Sequence, residues 1–205
     1  MPHLPDWVVG CAFADGPYFP IKTKAGEPGV SAFEAAWYGK CLDQMKEPRL
    51  PEAAKETNAV IYRMMILPTG GNPIAVRVQK LNGVYSISAR RLDGKAGFYA
   101  GKLIEQKDIQ LSEDDSRALD VLITNLNLFE MPTDDEVVGL DGVECIAEGV
   151  SGGKYHVVER WCPDSYNSQE RSLKAFNALC RFLVDRSGLA KSSENKEHRL
   201  TRPIP

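Results

Sequence analysis

A two-residue turn signal separates two stretches in which apolar and polar residues alternate. Ile74 to Leu81 and Val84 to Leu92 flank Asn82-Gly83, and this dipeptide is the strongest short-range signal for a β-hairpin. The turn fixes the cross-strand register, because successive side chains of a strand point to opposite sides. The register pairs Val78 with Ile87 and Val76 with Ala89 on one side, and Arg77 with Ser88 and Gln79 with Ser86 on the other. The pattern predicts an antiparallel sheet with one solvated side.

A second hairpin is indicated between Asp141 and Pro163, with Gly152-Gly153 as its turn. It contains His156, the only histidine away from the chain ends. The turn predicts these opposed pairs: Val150 and Tyr155, Gly149 and His156, Glu148 and Val157, Ile146 and Glu159, Cys145 and Arg160. One side of the hairpin then carries three carboxylates among larger apolar side chains, namely Glu144, Glu148 and Glu159 with Ile146, Tyr155, Val157 and Trp161.

The rest of the chain supplies further strands and three helices. Ala59 to Leu67 and the stretch GFYAGKLIEQ predict two more strands. Helix starts are indicated at Ser31, at Ser112 and at Asn167 or Ser168. Each helix has an apolar stripe at helical spacing. The stripes are Phe33, Trp37, Cys41 and Met45 in the first helix; Leu119, Leu122, Ile123 and Leu126 in the second; and Leu173, Phe176, Cys180, Leu183 and Val184 in the third. Together they predict an α+β fold, with a mostly antiparallel sheet of about six strands and about three packing helices.

The distribution of proline and glycine predicts the domain organisation. Residues 1–30 are rich in both, which predicts an N-terminal arm that lies on the domain. Residues 31–188 carry all the predicted elements and form a single α+β domain. Residues 189–205 are polar and mixed in charge, which predicts a flexible C-terminal tail.

Composition excludes several classes of function. The net charge of −3 gives no basic field for nucleic acid, and no apolar run is long enough to cross a bilayer. Five cysteines without C-x-x-C spacing and three scattered histidines predict no metal site and no cofactor. An odd number of cysteines favours a reducing cytoplasm. The alternative is a periplasmic lipoprotein processed at Cys11, because Val8-Val9-Gly10-Cys11 matches a lipidation sequence, although residues 1–9 lack a signal peptide.

The predicted register tests two catalytic arrangements in the second hairpin. Cys145 and His156 share a side but stand four residues apart, about 13 Å, whereas a nucleophile and its base must be in contact. A cysteine–histidine pair is therefore excluded. Glu159 lies diagonal to Glu144 and to Glu148 at about 7–8 Å, a separation that suits inverting glycoside hydrolysis. The alternative interpretation is that these carboxylates lie on a solvated side of the sheet and are neutralised by Arg63 or Arg160.

Two large rings alternate with carboxylates on the same side, and this mixture is typical of protein interfaces. The candidate partner-binding residues are Glu148, Tyr155, Glu159 and Trp161. The alternative for Trp161 is a core position beneath a helix.

Four stretches of the sequence carry a resemblance to known proteins: FEAAWYGKCLDQMKEP, IYRMMILPTGGNPIAVRVQ, GFYAGKL and GLDGVECIAEGVSGGKYHVVERWCP. Over about residues 31–188 the chain resembles an uncharacterised family of small bacterial proteins that look like lipoproteins or secreted proteins. This chain departs from the family pattern at residues 69–72, at Cys145 or Ile146, where tryptophan is common, and at Cys162, where serine is common. The resemblance implies common descent and no particular activity.

The leading hypothesis is a non-enzymatic bacterial binding protein, an immunity or inhibitor protein whose partner is a toxin or another protein. One alternative is a hydrolase that uses the carboxylates around Glu159, with Arg63, Arg77 or Arg160 holding an anionic substrate, or that acts on a carbohydrate. Another alternative is a structural envelope lipoprotein.

Overall fold

The computed structural model describes residues 17–24, 27–95, 99–139, 141–165 and 167–190. Six strands form one antiparallel sheet: β1 (Val60–Pro68), β2 (Ile74–Leu81), β3 (Val84–Leu92), β4 (Leu103–Gln110), β5 (Val143–Ser151) and β6 (Lys154–Trp161). Their order across the sheet is β4-β3-β2-β1-β5-β6, so the two hairpins are joined through β1. The predicted α+β class and the mostly antiparallel sheet are confirmed.

Both hairpin registers agree with those that the turns predict. Val78 pairs with Ile87 in the first hairpin, and Ile146 pairs with Glu159 in the second. The turn of the second hairpin is formed by Gly152 and Gly153 at φ values of 58° and 76°. Two successive residues with positive φ characterise the type I′ turn, whose twist matches that of the flanking strands.

The helices among the described residues are α1 (Ala32–Gln44), the short α2 (Leu50–Ala53), α3 (Glu113–Leu126) and α4 (Lys174–Arg186), with a 3₁₀ turn at Leu128–Glu130. The capping box at Ser31 is present, since its hydroxyl accepts from the Glu34 backbone N–H and the Glu34 carboxylate accepts from the Ser31 N–H. At the start of α3, the Ser112 hydroxyl accepts from the Asp115 backbone N–H. The predicted start of the last helix at Asn167 or Ser168 was wrong, because α4 begins at Lys174.

The sheet is packed on both sides. Side chains of α3 and α4 meet one side, where the buried residues include Tyr62, Val76, Val78, Ile87, Ala147, Val158, Leu119, Phe176 and Leu183. Helix α1 meets the other side with Tyr38, Cys41, Leu42 and Met45 against Met65, Leu67, Ala75, Ile146 and Val157. The predicted stripe of α1 was thus right for Cys41 and Met45, which are buried, but wrong for Phe33, which is 40% exposed. Tyr38 and Leu42 are buried in addition.

The described part of the N-terminal arm contributes to the core beside α1. Tyr18 and Phe19 are buried, and Ile21 forms a parallel bridge with Val30. Cys11 and residues 191–205 of the predicted tail lie outside the described residues.

Candidate functional site

The side of the β5–β6 hairpin that faces α1 contains the predicted partner-binding residues and the alternative catalytic carboxylates: Glu144, Glu148, Tyr155, Glu159 and Trp161. Pairing of Ile146 with Glu159 places Glu159 diagonal to Glu144 and to Glu148, as the register predicts. The site residues nevertheless separate into two groups. Glu148 and Tyr155 lie near the turn, whereas Glu144, Glu159 and Trp161 lie near the open end of the hairpin.

The group near the turn forms a buried ion-pair network. Glu148 is 1% exposed, and its Oε2 lies 2.6 Å from both Nε and Nη2 of Arg63 on the adjacent strand β1. The Tyr155 hydroxyl donates to the other carboxylate oxygen of Glu148 at 2.9 Å. Glu148 therefore offers no surface to a partner in this conformation.

Glu47, which follows α1, completes the buried network. Its carboxylate accepts from Arg77 Nε at 2.9 Å and from Arg63 Nη1 at 3.4 Å, and the Pro48 carbonyl accepts from Arg63 Nη1 at 2.8 Å. Burial disfavours the charged form of Arg63, but the carboxylates of Glu148 and Glu47 outweigh it and raise the pKa of this guanidinium. The network holds α1 against β1, β2 and β5.

The group at the open end forms what we term the acidic corner: Glu34, Asp134, Glu144 and Glu159, with Lys22 and Tyr38. The Tyr38 hydroxyl donates to Glu159 Oε2 at 3.2 Å. Lys22 Nζ lies 2.9 Å from Asp134 Oδ2 and 4.0 Å from Glu159 Oε1. The lysine is therefore closer to Asp134 than to the hairpin carboxylate.

The two hairpin carboxyl groups of the acidic corner titrate near neutral pH. Burial, followed by the negative charges of Glu159 and Glu34, raises the pKa of Glu144 to about 8. Burial and the charge of Glu34 raise the pKa of Glu159 to about 7, against the opposing effects of Lys22 and the Tyr38 hydrogen bond. Each group is thus partly protonated at pH 7 and can exchange its proton for a cation.

Aromatic side chains line the same end of the hairpin. Trp161 is partly buried, and a side chain larger than hydrogen at Gly139 would overlap its indole ring. On α1, the ring centroids of Trp37 and Tyr38 are 5.0 Å apart, and those of Trp37 and Phe33 are 6.1 Å apart. The acidic corner is therefore bordered by aromatic rings from two elements.

Residues 131–135 pass along the outer edge of β6. The Glu159 N–H donates to the Thr133 carbonyl at 2.6 Å, and Arg160 donates to the carbonyls of Pro132 and Thr133. Arg160 also lies 3.5 Å from Asp135. The backbone hydrogen bond holds Asp134 beside the hairpin. The Arg160 side chain is used in contacts that fix the same segment.

The remaining sequence-predicted candidates have internal partners. His156 Nε2 forms a 2.7 Å hydrogen bond with the Met131 carbonyl. Cys145 pairs with Arg160 in the β-ladder, and His156 pairs with Gly149, which agrees with the predicted four-residue separation of cysteine and histidine. Arg63, Arg77 and Arg160 are all bonded to internal groups, so we do not retain them as anion ligands.

Sequence reasoning missed Lys22, Glu34, Glu47 and Asp134. The only sequence signals for these residues are the capping box for Glu34, three residues after Ser31, and the acidic run at 134–136 for Asp134. Packing places Lys22 and Glu47 beside residues that are distant in sequence. A single sequence gives no local pattern that predicts such contacts.

No protein-family model and no curated protein matches this chain. Within the described ranges, no set of three histidine, cysteine, aspartate or glutamate side chains is placed to hold a metal ion. In the same part of the chain, no helix has both the length and the apolar character needed to cross a membrane.

Proposed function

We propose that this protein is a non-enzymatic binding protein that recognises a basic segment of another protein through the acidic corner. The observation that carries the proposal is the pair Glu144 and Glu159, two largely desolvated carboxyl groups that repel each other and whose pKa values lie near neutrality. The lysine beside them is 4.0 Å from Glu159 but only 2.9 Å from Asp134. The pair is therefore better satisfied by an additional cation.

A lysine or arginine side chain is a suitable occupant. Its charge would replace the protons of Glu144 and Glu159, and its apolar stem would pack on the neighbouring rings. Phe33 is 40% exposed at this end of α1, and Arg–aromatic and Lys–aromatic contacts are common in interfaces. Rings and carboxylates in one place favour protein recognition over simple solvation.

The kind of partner follows from the charge of the site. A toxin that acts on nucleic acid presents a basic surface, because neutralising phosphates requires lysine and arginine side chains. An acidic protein can occupy that surface and block it. The proposal therefore includes the immunity or inhibitor role, with a basic toxin as the partner.

Binding of a basic probe is expected to depend on pH and on both carboxyl groups. Protons compete with the cation at low pH, so an oligolysine peptide should bind at least about fivefold more tightly near pH 8.5 than near pH 6. Titration calorimetry on the wild-type protein and on the Glu144→Gln/Glu159→Gln double variant measures this difference. The double variant should lose most of the affinity and the pH dependence.

The matched control is Glu56→Gln/Glu113→Gln, which replaces the same number of carboxyl groups at exposed positions. This control should retain the pH dependence, because Glu144 and Glu159, whose pKa values are raised to about 8 and about 7, remain in place. Equal loss of binding in both double variants would show that net charge alone attracts the peptide, and would refute the proposed site.

The same pair of carboxyl groups favours one second candidate function, hydrolysis of a carbohydrate. A protonated carboxyl with a pKa of about 8 can donate a proton to a leaving group, while a neighbouring carboxylate activates water. We expect any such activity to fall by at least about a hundredfold in either single variant, Glu144→Gln or Glu159→Gln. A panel of chromogenic glycosides is the assay, and turnover that survives both substitutions would exclude this candidate.

A further inference from the structure

The N-terminal arm places one of its own cations in the acidic corner. Lys22 Nζ donates to Asp134 Oδ2 at 2.9 Å and lies 4.0 Å from Glu159 Oε1. Lys22 and Asp134 are 112 positions apart in sequence, so the fold brings them together. The Lys22 side chain is partly exposed, whereas that of Glu159 is nearly buried. In the free protein, a cation of the chain itself therefore lies beside the carboxylate to which a partner's cation would bind.

The backbone around Lys22 is fixed, while its side chain is not. The Lys22 N–H donates to the Val30 carbonyl at 2.9 Å, and the Val30 N–H donates to the Pro20 carbonyl at 3.0 Å. Phe19 is buried, and its ring meets that of Tyr38 edge-on at 5.7 Å between centroids. The lysine ammonium, in contrast, is carried on a flexible four-carbon stem. It can therefore leave the acidic corner by side-chain rotation while the arm stays in place.

We propose that Lys22 is a built-in competitor at the acidic corner, an intramolecular cation that the basic side chain of a partner displaces from Glu159. This inference rests on the proposed function, because it takes the acidic corner as the binding site for a basic segment. The competitor lowers the affinity for any single lysine or arginine side chain. A stable complex then requires a partner that offers several cations at once, which favours a strongly basic surface over an isolated surface lysine.

Repulsion between like charges is the physical basis of the competition. Burial disfavours the charged form of Lys22, but the hydrogen bond and the charge of Asp134, followed by the charges of Glu159 and Glu34, outweigh it and raise the pKa of the lysine. Lys22 therefore remains positive at every pH at which the carboxyl groups of the corner titrate. A second cation beside Glu159 is repelled by Lys22, and the low dielectric of a partly buried site strengthens this repulsion.

Displacement of Lys22 costs little, because its main partner is open to solvent. The side chain of Asp134 is 41% exposed, so water can replace the ammonium there. Its other carboxylate oxygen accepts from the Glu136 N–H at 3.3 Å, a contact that does not depend on the lysine. The departing ammonium regains its own hydration at the surface. The corner can thus exchange its internal cation for an external one without leaving a buried charge unpaired.

Titration calorimetry with an oligolysine peptide at pH 9 tests the competitor, because Glu144 and Glu159 are largely ionised there. Lys22→Met should bind the peptide at least about fivefold more tightly than the wild type, since the repelling charge is gone. Lys22→Gln is a second neutral variant and should give the same gain. Lys22→Arg keeps the charge and should bind as the wild type does.

The matched control is Lys24→Met on the same arm. Lys24 is exposed, and its substitution changes the net charge by the same amount as Lys22→Met. This control should bind the peptide within about twofold of the wild type, because a solvated charge is well screened. A gain as large in Lys24→Met as in Lys22→Met would assign the effect to net charge and overturn the proposal.

The remaining outcomes separate this inference from the proposed function. Wild-type binding that requires Glu144 and Glu159, with no gain in either neutral variant of Lys22, would overturn the competitor alone. Weaker binding by both neutral variants would also overturn it, because Lys22 would then belong to the surface that holds the peptide. If neither the wild type nor Lys22→Met bound the peptide, the proposed function would be refuted together with the competitor.

Discussion

Replacing Arg63 with methionine should lower the free energy of unfolding by about 3–5 kcal/mol at pH 7.5. The substitution keeps an unbranched side chain in the core but removes the charge that faces Glu148 and Glu47. The side chains of Arg63 and Glu148 are 0% exposed, so water cannot replace the lost partner. Denaturant unfolding followed by circular dichroism measures the loss.

The comparison variant is Arg90→Met on β3. Arg90 lies 3.0 Å from Asp108, whose side chain is 59% exposed, so solvent can take over the contact. This variant should lose less than about 1 kcal/mol. A loss equal to that of Arg63→Met would mean that burial does not set the cost.

A double variant separates the cause of the Arg63 effect. Removing Glu148 as well, in Arg63→Met/Glu148→Leu, eliminates one of the two carboxylates that the single variant leaves without a cation. The double variant should be more stable than Arg63→Met alone, since an apolar pair can replace a buried ion pair at little cost. If the double variant were less stable than Arg63→Met, the loss in the single variant would be assigned to strain of the methionine side chain and not to the unpaired Glu148.

The fold was largely predictable from local signals. Asn82-Gly83 and Gly152-Gly153 define two-residue turns, and a strand leaving such a turn has only one register that places Val78 and Val158 inside. The sequence did not predict which face of α1 packs against the sheet. Phe33 fits the apolar stripe by spacing, yet it is 40% exposed, while Tyr38 and Leu42 are buried against the sheet.

The candidate site could be predicted only in part, because the sequence does not show which element packs on the hairpin. The turn places Glu144 and Glu159 on one side, and that prediction depends on a single local register. Whether a carboxylate there is solvated, paired or protonated depends on what packs above it. Arg63 pairs with Glu148, while Glu159 contacts Tyr38 and a lysine that it shares with Asp134. These contacts join residues that are 85, 121 and 137 positions apart in sequence.

Replacing Glu144 with glutamine should stabilise the protein at high pH and leave it unchanged at low pH. The pKa of Glu144 rises from 4.5 to about 8 on folding, so the native state favours the protonated form. The wild-type protein is thus most stable, with respect to this group, below about pH 4.5, and loses that stability as pH rises through about 8. Glutamine mimics the protonated group and avoids the loss.

The expected gain for Glu144→Gln is about 2–4 kcal/mol near pH 9, since each pKa unit is worth about 1.4 kcal/mol and partial exposure reduces the total. The quantity to compare is the difference in unfolding free energy between variant and wild type at each pH. Asp134, whose pKa is lowered by Lys22, makes both proteins less stable as pH falls, and this effect cancels in the difference. Urea unfolding at several pH values, with Glu56→Gln as the exposed control, measures this difference. A constant difference at every pH would contradict the assignment of Glu144 as a desolvated acid. A gain that grows with pH, together with loss of oligolysine binding, would show that the acidic corner sacrifices stability for recognition.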